Sequence, residues 1–151
     1  RPGDRALRTV LHQAGLASGS VMTPTMTRMA YLTLRGMAVA RGLELTVREQ
    51  SSAGKNQTEM SLAEVHPGGA LILRGAPVQA VRGLKSDPSS RQVLLEWMET
   101  RGMTGAASLK SDDDHLVAAC AAALGAWGWM QGQPAWLHPA QPPLHPYDYV
   151  C

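Results

Sequence analysis

A short acidic strand that ends at a Pro-Gly-Gly sequence constrains the fold of this chain more than any other segment. Over residues 60–66, Leu62 and Glu64 share one face of an extended chain, and Ala63 and Val65 share the other. Apolar side chains therefore occur on both faces, which is typical of a strand inside a sheet rather than at its edge. We expect a sheet that contains this strand in its interior.

The other periodic segments alternate between helix and strand, so the chain is predicted to be an α/β protein. Helix signals begin at Asp4 and stop at Gly15, and they recur after Thr23, after Ser89 or Ser90, and after Ser111. The predicted helices cover residues 4–14, 23–41, 89–101 and 111–130, with a half-exposed strand at residues 43–47 and a loop at residues 50–59.

The last helix is predicted to bury one apolar stripe. Leu116, Cys120, Leu124 and Trp127 recur at helical spacing, and we expect Leu124 and Trp127 to lie in the core. Residues 133–151 contain five prolines among nineteen residues, which predicts an extended tail packed on a domain that spans residues 1–132.

Composition excludes several classes of protein. With 151 residues, 44% of them hydrophobic and 17% charged, the chain can bury a core, so disorder is a poor interpretation. No apolar run reaches the roughly 18 to 20 residues that a membrane span needs. Two cysteines 31 positions apart make no disulfide framework, and no signal-peptide pattern is present, so we expect a cytoplasmic protein. The absence of an initiator Met suggests a piece of a longer protein.

Charge is distributed unevenly along the chain. Residues 1–110 contain all 14 Lys and Arg against 8 Asp and Glu, a net charge of +6, whereas residues 111–151 contain four Asp and no Lys or Arg. This distribution is compatible with a nucleic-acid partner, although it is too dilute to establish one.

Two acidic segments are candidates for a metal site. Asp113 and Asp114 follow Ser111 at the start of the last helix, where carboxylates either complement the helix dipole or bind a cation. Glu64 lies near the carboxyl end of its strand, where open α/β sheets bind ligands, and its alternative role is a salt bridge to an arginine. If these carboxylates converge, hard oxygen ligands favour Mg²⁺ or Mn²⁺.

Three further residues are candidates for substrate binding. Lys85 and Arg91 could contact phosphate, and a solvated surface is the alternative for both. His66 follows Glu64 closely enough to contribute to the same site.

Three motifs together resemble a family of predicted nucleases with an RNase H-like, RuvC-like fold, catalogued as domain of unknown function 429. The first motif is Glu64 to Gly68, the second runs from Lys85 through Arg91 to Trp97, and the third runs from Ser111 to Ala119. The resemblance covers most of residues 1–130.

The resemblance implies a mixed sheet with helices on both faces and two divalent metals that activate water against a phosphodiester. It makes Glu64 and Asp113 or Asp114 the metal ligands and catalytic residues of a magnesium-dependent hydrolase. Two departures accompany it: the opening strand with its own aspartate has no counterpart, and Ala118 stands where a further helix aspartate is expected. A partner chain or an upstream segment could complete the sheet. The alternative function is a non-catalytic binding or scaffold module that keeps the fold.

Overall fold

The computed structural model describes residues 1–17, 21, 46–47, 61–142 and 145–151. The helix predicted at residues 23–41 and the loop predicted at residues 50–59 lie outside the described residues. Of the strand predicted at residues 43–47, residues 46–47 are described and are extended.

The described chain contains both strands and helices, as expected of an α/β protein. None of its helices is long and apolar enough to span a membrane. The strands are β1 (Thr46–Val47), β2 (Ser61–Val65), β3 (Leu137–His138) and β4 (Asp148–Val150). The helices are α1 (Pro2–Gln13), α2 (Pro67–Ile72), α3 (Val78–Gly83), α4 (Pro88–Thr100) and α5 (Asp114–Met130), with a 3-10 turn at Ala106–Ser108.

Strand β2 lies inside a small mixed sheet with the strand order β1-β2-β4-β3. Strands β1 and β4 run parallel to β2, and β3 runs antiparallel to β4. The interior position predicted for the acidic strand is therefore confirmed. Two of the strands come from the Pro-rich segment, and the domain boundary placed at residue 132 stays a prediction.

Helix α5 and the side chain of Arg1, which caps α1, lie on opposite faces of β2. Gly125 of α5 packs on the face that carries Val65, so closely that a Cβ at this glycine would stand 2.8 Å from Val65 Cγ1. Alternate side chains of a strand point to opposite faces, and Glu64 meets Arg1, at the start of α1, on the other side. The sheet thus brings the first turn of the chain onto the face that carries Glu64.

The beginning of α4 differs from the prediction. The helix is capped by Asp87 rather than by Ser89 or Ser90, and the Asp87 carboxylate accepts hydrogen bonds from both serine backbone amides. Hydrogen bonds from the hydroxyls of Ser90 and Ser89, together with those amides, lower the pKa of Asp87 to about 2. The same helix ends near Gly102, as expected.

The predicted orientation of α5 is wrong at Trp127. This side chain is 60% exposed, whereas Trp129 is 3% exposed and Leu124, as predicted, is buried. The helix is apolar around its circumference from residue 116 to residue 130, so hydrophobic periodicity could not select its inner face. Close packing selects it instead, because Gly125 and Gly128 allow the backbone to approach the sheet and Arg74.

We predict that Trp129→Ala lowers the free energy of unfolding by about 3 to 5 kcal/mol, because it removes a buried aromatic ring and the donor to Asp148. Trp127→Ala is the matched control and should change it by less than about 0.5 kcal/mol. Denaturant melts followed by circular dichroism measure both. Equal losses in the two variants would contradict the observed orientation of α5.

Candidate functional site

The guanidinium of Arg1 binds two carboxylates at once. Its Nη1 donates to Glu64 Oε2 at 3.0 Å and its Nη2 donates to Glu64 Oε1. Its Nε and Nη2 donate to Asp4 Oδ2 and Oδ1, both at 3.1 Å. Each carboxylate therefore receives a pair of parallel hydrogen bonds, the geometry for which an arginine is preorganised. Of the two interpretations of Glu64, the salt bridge to an arginine is the one observed.

A row of side chains crosses the sheet beside this ion pair. Glu64 of β2 stands opposite Tyr149 of β4, and Tyr149 stands opposite His138 of β3. The Arg1 guanidinium lies 5.9 Å from the centroid of the Tyr149 ring, within the range of a cation–π contact. Trp136 stacks on His138 and meets Tyr149 edge to face. The ion pair of Arg1 and Glu64 is thus bordered on one side by the aromatic rings of Tyr149, His138 and Trp136.

His145 joins the end of the chain to its beginning. Its imidazole is fully buried, stacks on Tyr149 with centroids 6.0 Å apart, and accepts a 3.1 Å hydrogen bond at Nε2 from the Gly3 amide. A Cβ at Gly3 would stand 2.8 Å from His145 Cε1, so a glycine is required at this close approach. Because Nε2 accepts, the neutral ring carries its proton at Nδ1, and this atom has no hydrogen-bond partner within the described ranges.

We name this group the Arg1 cluster, and its members are Arg1, Asp4, Glu64, His138, His145 and Tyr149. Burial alone would lower the pKa of Arg1, but the hydrogen bonds to Glu64 and Asp4 outweigh it and raise the pKa above its usual value. Burial lowers the pKa of His145, and the charge of Arg1 lowers it further. Burial raises the pKa of Tyr149, with smaller contributions from Glu64 and Asp4. At neutral pH the guanidinium of Arg1 is therefore charged, whereas the imidazole of His145 and the phenol of Tyr149 are neutral.

The predicted acidic ligands occupy separate places. Asp113 caps α5 by accepting a 2.8 Å hydrogen bond from the His115 amide, and Asp114 begins the helix. Gly125, which packs against β2, lies eleven residues further along α5, about 16 Å along its axis. Glu64 points to the opposite face of β2, toward α1.

The described residues do not fit the metal site that the resemblance implies. Among them, no group of three or more His, Cys, Asp and Glu side chains could hold a metal ion. Both oxygens of Glu64 already accept hydrogen bonds from Arg1, and an Asp113 oxygen caps its helix. The structure therefore does not bring Glu64, Asp113 and Asp114 together as ligands of one ion.

Arg91, a predicted phosphate contact, is buried and binds the backbone instead. Its guanidinium donates to the carbonyls of Leu84, Ser111 and Asp112. These bonds tie α4 to the segment that precedes α5. The expectation that Arg91 faces a phosphate or solvent is thus corrected: its donors hold two segments of the fold together.

The other two predicted substrate contacts differ from each other. His66 is the N-cap of α2, and its Nδ1 accepts a 2.9 Å hydrogen bond from the Gly69 amide. Lys85 is exposed in the turn between α3 and α4. Of the three predicted substrate contacts, Lys85 is the one whose charge faces solvent.

Sequence reasoning missed most of the Arg1 cluster. Arg1 and Asp4 stand three residues apart at a helix start, a spacing that brings their side chains together on one helix face. This spacing is the one local feature of the sequence that indicated the ion pair. No local signal connects Gly3 with His145, which are separated by 142 positions. The histidines of the Pro-rich segment could be placed only once β3 and β4 were known.

Comparison with known families agrees with the motifs found in the sequence. A family model described as "Protein of unknown function (DUF429)" matches residues 1–143. The chain belongs to this family. Searches of curated proteins and of solved structures found no significant match. Membership of the DUF429 family supports the resemblance at family level, while the relationship to RuvC-like nucleases stays a prediction.

We predict that acid destabilises this DUF429 protein through His145. The pKa of His145 in the folded protein lies below the roughly 6.5 of an unfolded chain, so the unfolded state binds more protons as the pH falls below that value. The stabilisation is therefore complete above about pH 6.5 and is lost as the pH falls toward the folded-state pKa.

The variant His145→Gln removes the titration and places an amide oxygen near the Gly3 donor. Its free energy of unfolding should fall less than that of the wild type between pH 7.5 and pH 5.5. His12→Gln, at an exposed site on α1, is the control and should follow the wild type. An unchanged pH dependence in His145→Gln would show that this imidazole is not the group responsible.

Proposed function

We propose that this chain is a non-catalytic member of its family and serves as a binding module for a polyanion such as single-stranded nucleic acid. The observation that carries the proposal is the ion pair between Glu64 and Arg1. Glu64 is the acidic residue on which the predicted chemistry depends, and both of its oxygens are engaged by a guanidinium within the protein.

Separation of the acidic residues supports the same proposal. Two-metal hydrolysis needs carboxylates that reach ions only about 3.5 to 4 Å apart. Asp113 and Asp114 lie at the N-terminal end of α5, away from Gly125, where the helix contacts β2. One oxygen of Asp113 also accepts the hydrogen bond that caps the helix. Metal-dependent hydrolysis with Mg²⁺ or Mn²⁺ stays a prediction.

Surface charge supports binding of an anion. Residues 1–110 carry the net charge of +6, and most of their described cationic side chains are exposed. The exposed ones are Arg5, Arg82, Lys85, Arg101 and Lys110. Arg82 is held by the Gly15 carbonyl, whereas no hydrogen bond or ion pair with a described residue holds the ammonium group of Lys85. Lys85 can therefore move to a phosphate at little cost.

We predict that a fluorescent single-stranded oligonucleotide binds the wild-type chain and dissociates as salt is raised. In Lys85→Ala, the slope of log K against log salt should become shallower by about 0.7, the share of one phosphate contact on a single strand. Lys110→Ala removes the same charge elsewhere and is the matched control. Equal changes of slope in both variants would contradict a specific role for Lys85, and absence of binding would overturn the binding function.

The catalytic alternative is tested on the same oligonucleotide. We expect no cleavage in Mg²⁺ or Mn²⁺ by either the wild type or Glu64→Gln. Cleavage by the wild type that disappears in Glu64→Gln would overturn the non-catalytic proposal and establish Glu64 in the reaction.

A further inference from the structure

The two glutamates of α4 lie on one flank of the helix. Glu99 accepts a 2.6 Å hydrogen bond at Oε2 from the Ala107 amide in the 3-10 turn. Glu96 accepts a hydrogen bond from the side-chain amide of Gln92, which also donates to the Ala107 carbonyl. Both carboxylates of α4 are therefore held on the flank that faces the 3-10 turn.

The opposite flank of α4 faces α3. Near the start of α4, a Cβ at Gly83 would meet the side chain of Ser90. Just beyond its end, a Cβ at Gly75 would stand 4.0 Å from Nη2 of Arg101. Residues 75–83 therefore run alongside α4 from one end to the other, on the side away from its glutamates.

This second flank carries cations. Residues 65–86, which include α3, contain three of the Lys and Arg residues and no Asp or Glu. Arg82 and Lys85 are exposed at one end of the flank, and Arg101 is exposed at the other. The next acidic residue, Asp87, uses its carboxylate to cap α4. The charge on this flank is therefore complementary to a polyanion.

An arginine–tryptophan pair lies on the same flank. At 3.6 residues per turn, Trp97 lies about 140° around the axis of α4 from Gln92. The Arg101 guanidinium is 5.2 Å from the centroid of the Trp97 ring, within the range of a cation–π contact. Trp97 is half-buried and packs against the hydrophobic core, so its ring is a fixed support for the guanidinium.

The guanidinium of Arg101 is available to a ligand. Arg101 is exposed, and its side chain forms no hydrogen bond or ion pair with a residue that the structure describes. Trp97 therefore positions the plane of the guanidinium, while the N–H donors of Arg101 are left for other partners.

We propose that Arg101, supported by Trp97, is a base-stacking site for single-stranded nucleic acid. The inference rests on the proposed binding of a polyanion and adds to it the place where a base is recognised. Bases stack on the planes of arginine side chains, and every base offers a π face. A polyanion without bases contacts the cations of this flank but gains nothing from the plane of Arg101.

The length of α4 sets the size of the ligand. Lys85 precedes this helix of 13 residues and Arg101 follows it, so the two cations are separated by about 20 Å along the helix axis. About six stacked nucleotides, at roughly 3.4 Å each, cover that distance. One strand therefore reaches Lys85 with a phosphate and Arg101 with a base.

Fluorescence anisotropy with two labelled probes tests the stacking. One probe is single-stranded DNA of about eight nucleotides, made once with adenine and once with thymine, and the other is an abasic strand with the same number of phosphates. Because only the first probe can stack, the wild-type chain should bind it at least about fivefold more tightly than the abasic strand, the smallest factor expected for one stacked base.

Arg101→Lys keeps the positive charge and removes the plane of the guanidinium. Its affinity for the abasic strand should match that of the wild type, and its affinity for the DNA with bases should fall to about the same value. Arg5→Lys, at an exposed position on α1, is the matched control and should keep the wild-type preference. A preference that survives in Arg101→Lys would overturn the proposal.

The same measurements separate the stacking site from the proposed function. Equal binding of both probes by the wild type would overturn the stacking site and leave the binding of a polyanion standing. A preference for adenine alone or thymine alone would also overturn it, because stacking accepts every base. If the wild type bound neither probe, both proposals would fail.

Discussion

The paired hydrogen bonds from Arg1 to Asp4 and Glu64 are the constraint on which the described face of the sheet depends. They attach the first turn of α1 to β2 across 63 positions of sequence and compensate the charge of the almost fully buried Asp4. With the turn held there, the Gly3 amide reaches His145 in the segment between β3 and β4. One side chain therefore fixes the relation between the beginning, the middle and the end of the chain.

Features that depend on neighbouring residues could be predicted from the sequence. The alternation around Glu64 predicted strand β2 and its interior position, and Gly15, with φ of 90°, follows α1 as a helix stop should. The start of α5 was predicted two residues too early, because Asp113 rather than Ser111 caps the helix, whereas Asp114 does lie in the first turn, where a carboxylate complements the helix dipole. Such signals are local, since a cap or an alternating strand is written within a few residues.

The candidate site could not be predicted in the same way. Its contacts join positions that are distant in sequence, and several arginines could equally have paired with Glu64. The prediction of the orientation of α5 was wrong for a different reason. The helix has no polar side chains over residues 116–130, so its sequence shows no hydrophobic periodicity. Two glycines decide which face of the helix approaches the sheet. Long-range charge pairing and close backbone approach are properties of the assembled fold.

Most of the residues that make the sequence resemble a nuclease perform structural work in this chain. Glu64 is neutralised by Arg1, Asp113 and His66 cap helices, and Arg91 binds backbone carbonyls. Glu64 and Arg91 would leave buried or partly buried partners unpaired if they turned to a ligand, and an unpaired buried polar group costs about 1 to 3 kcal/mol. A ligand that bound several of these residues would have to offset the summed free-energy cost of their unpaired partners. Exposed cations such as Lys85 carry no such cost, so in this fold binding of a polyanion at the surface is physically easier to achieve than chemistry at the motif residues.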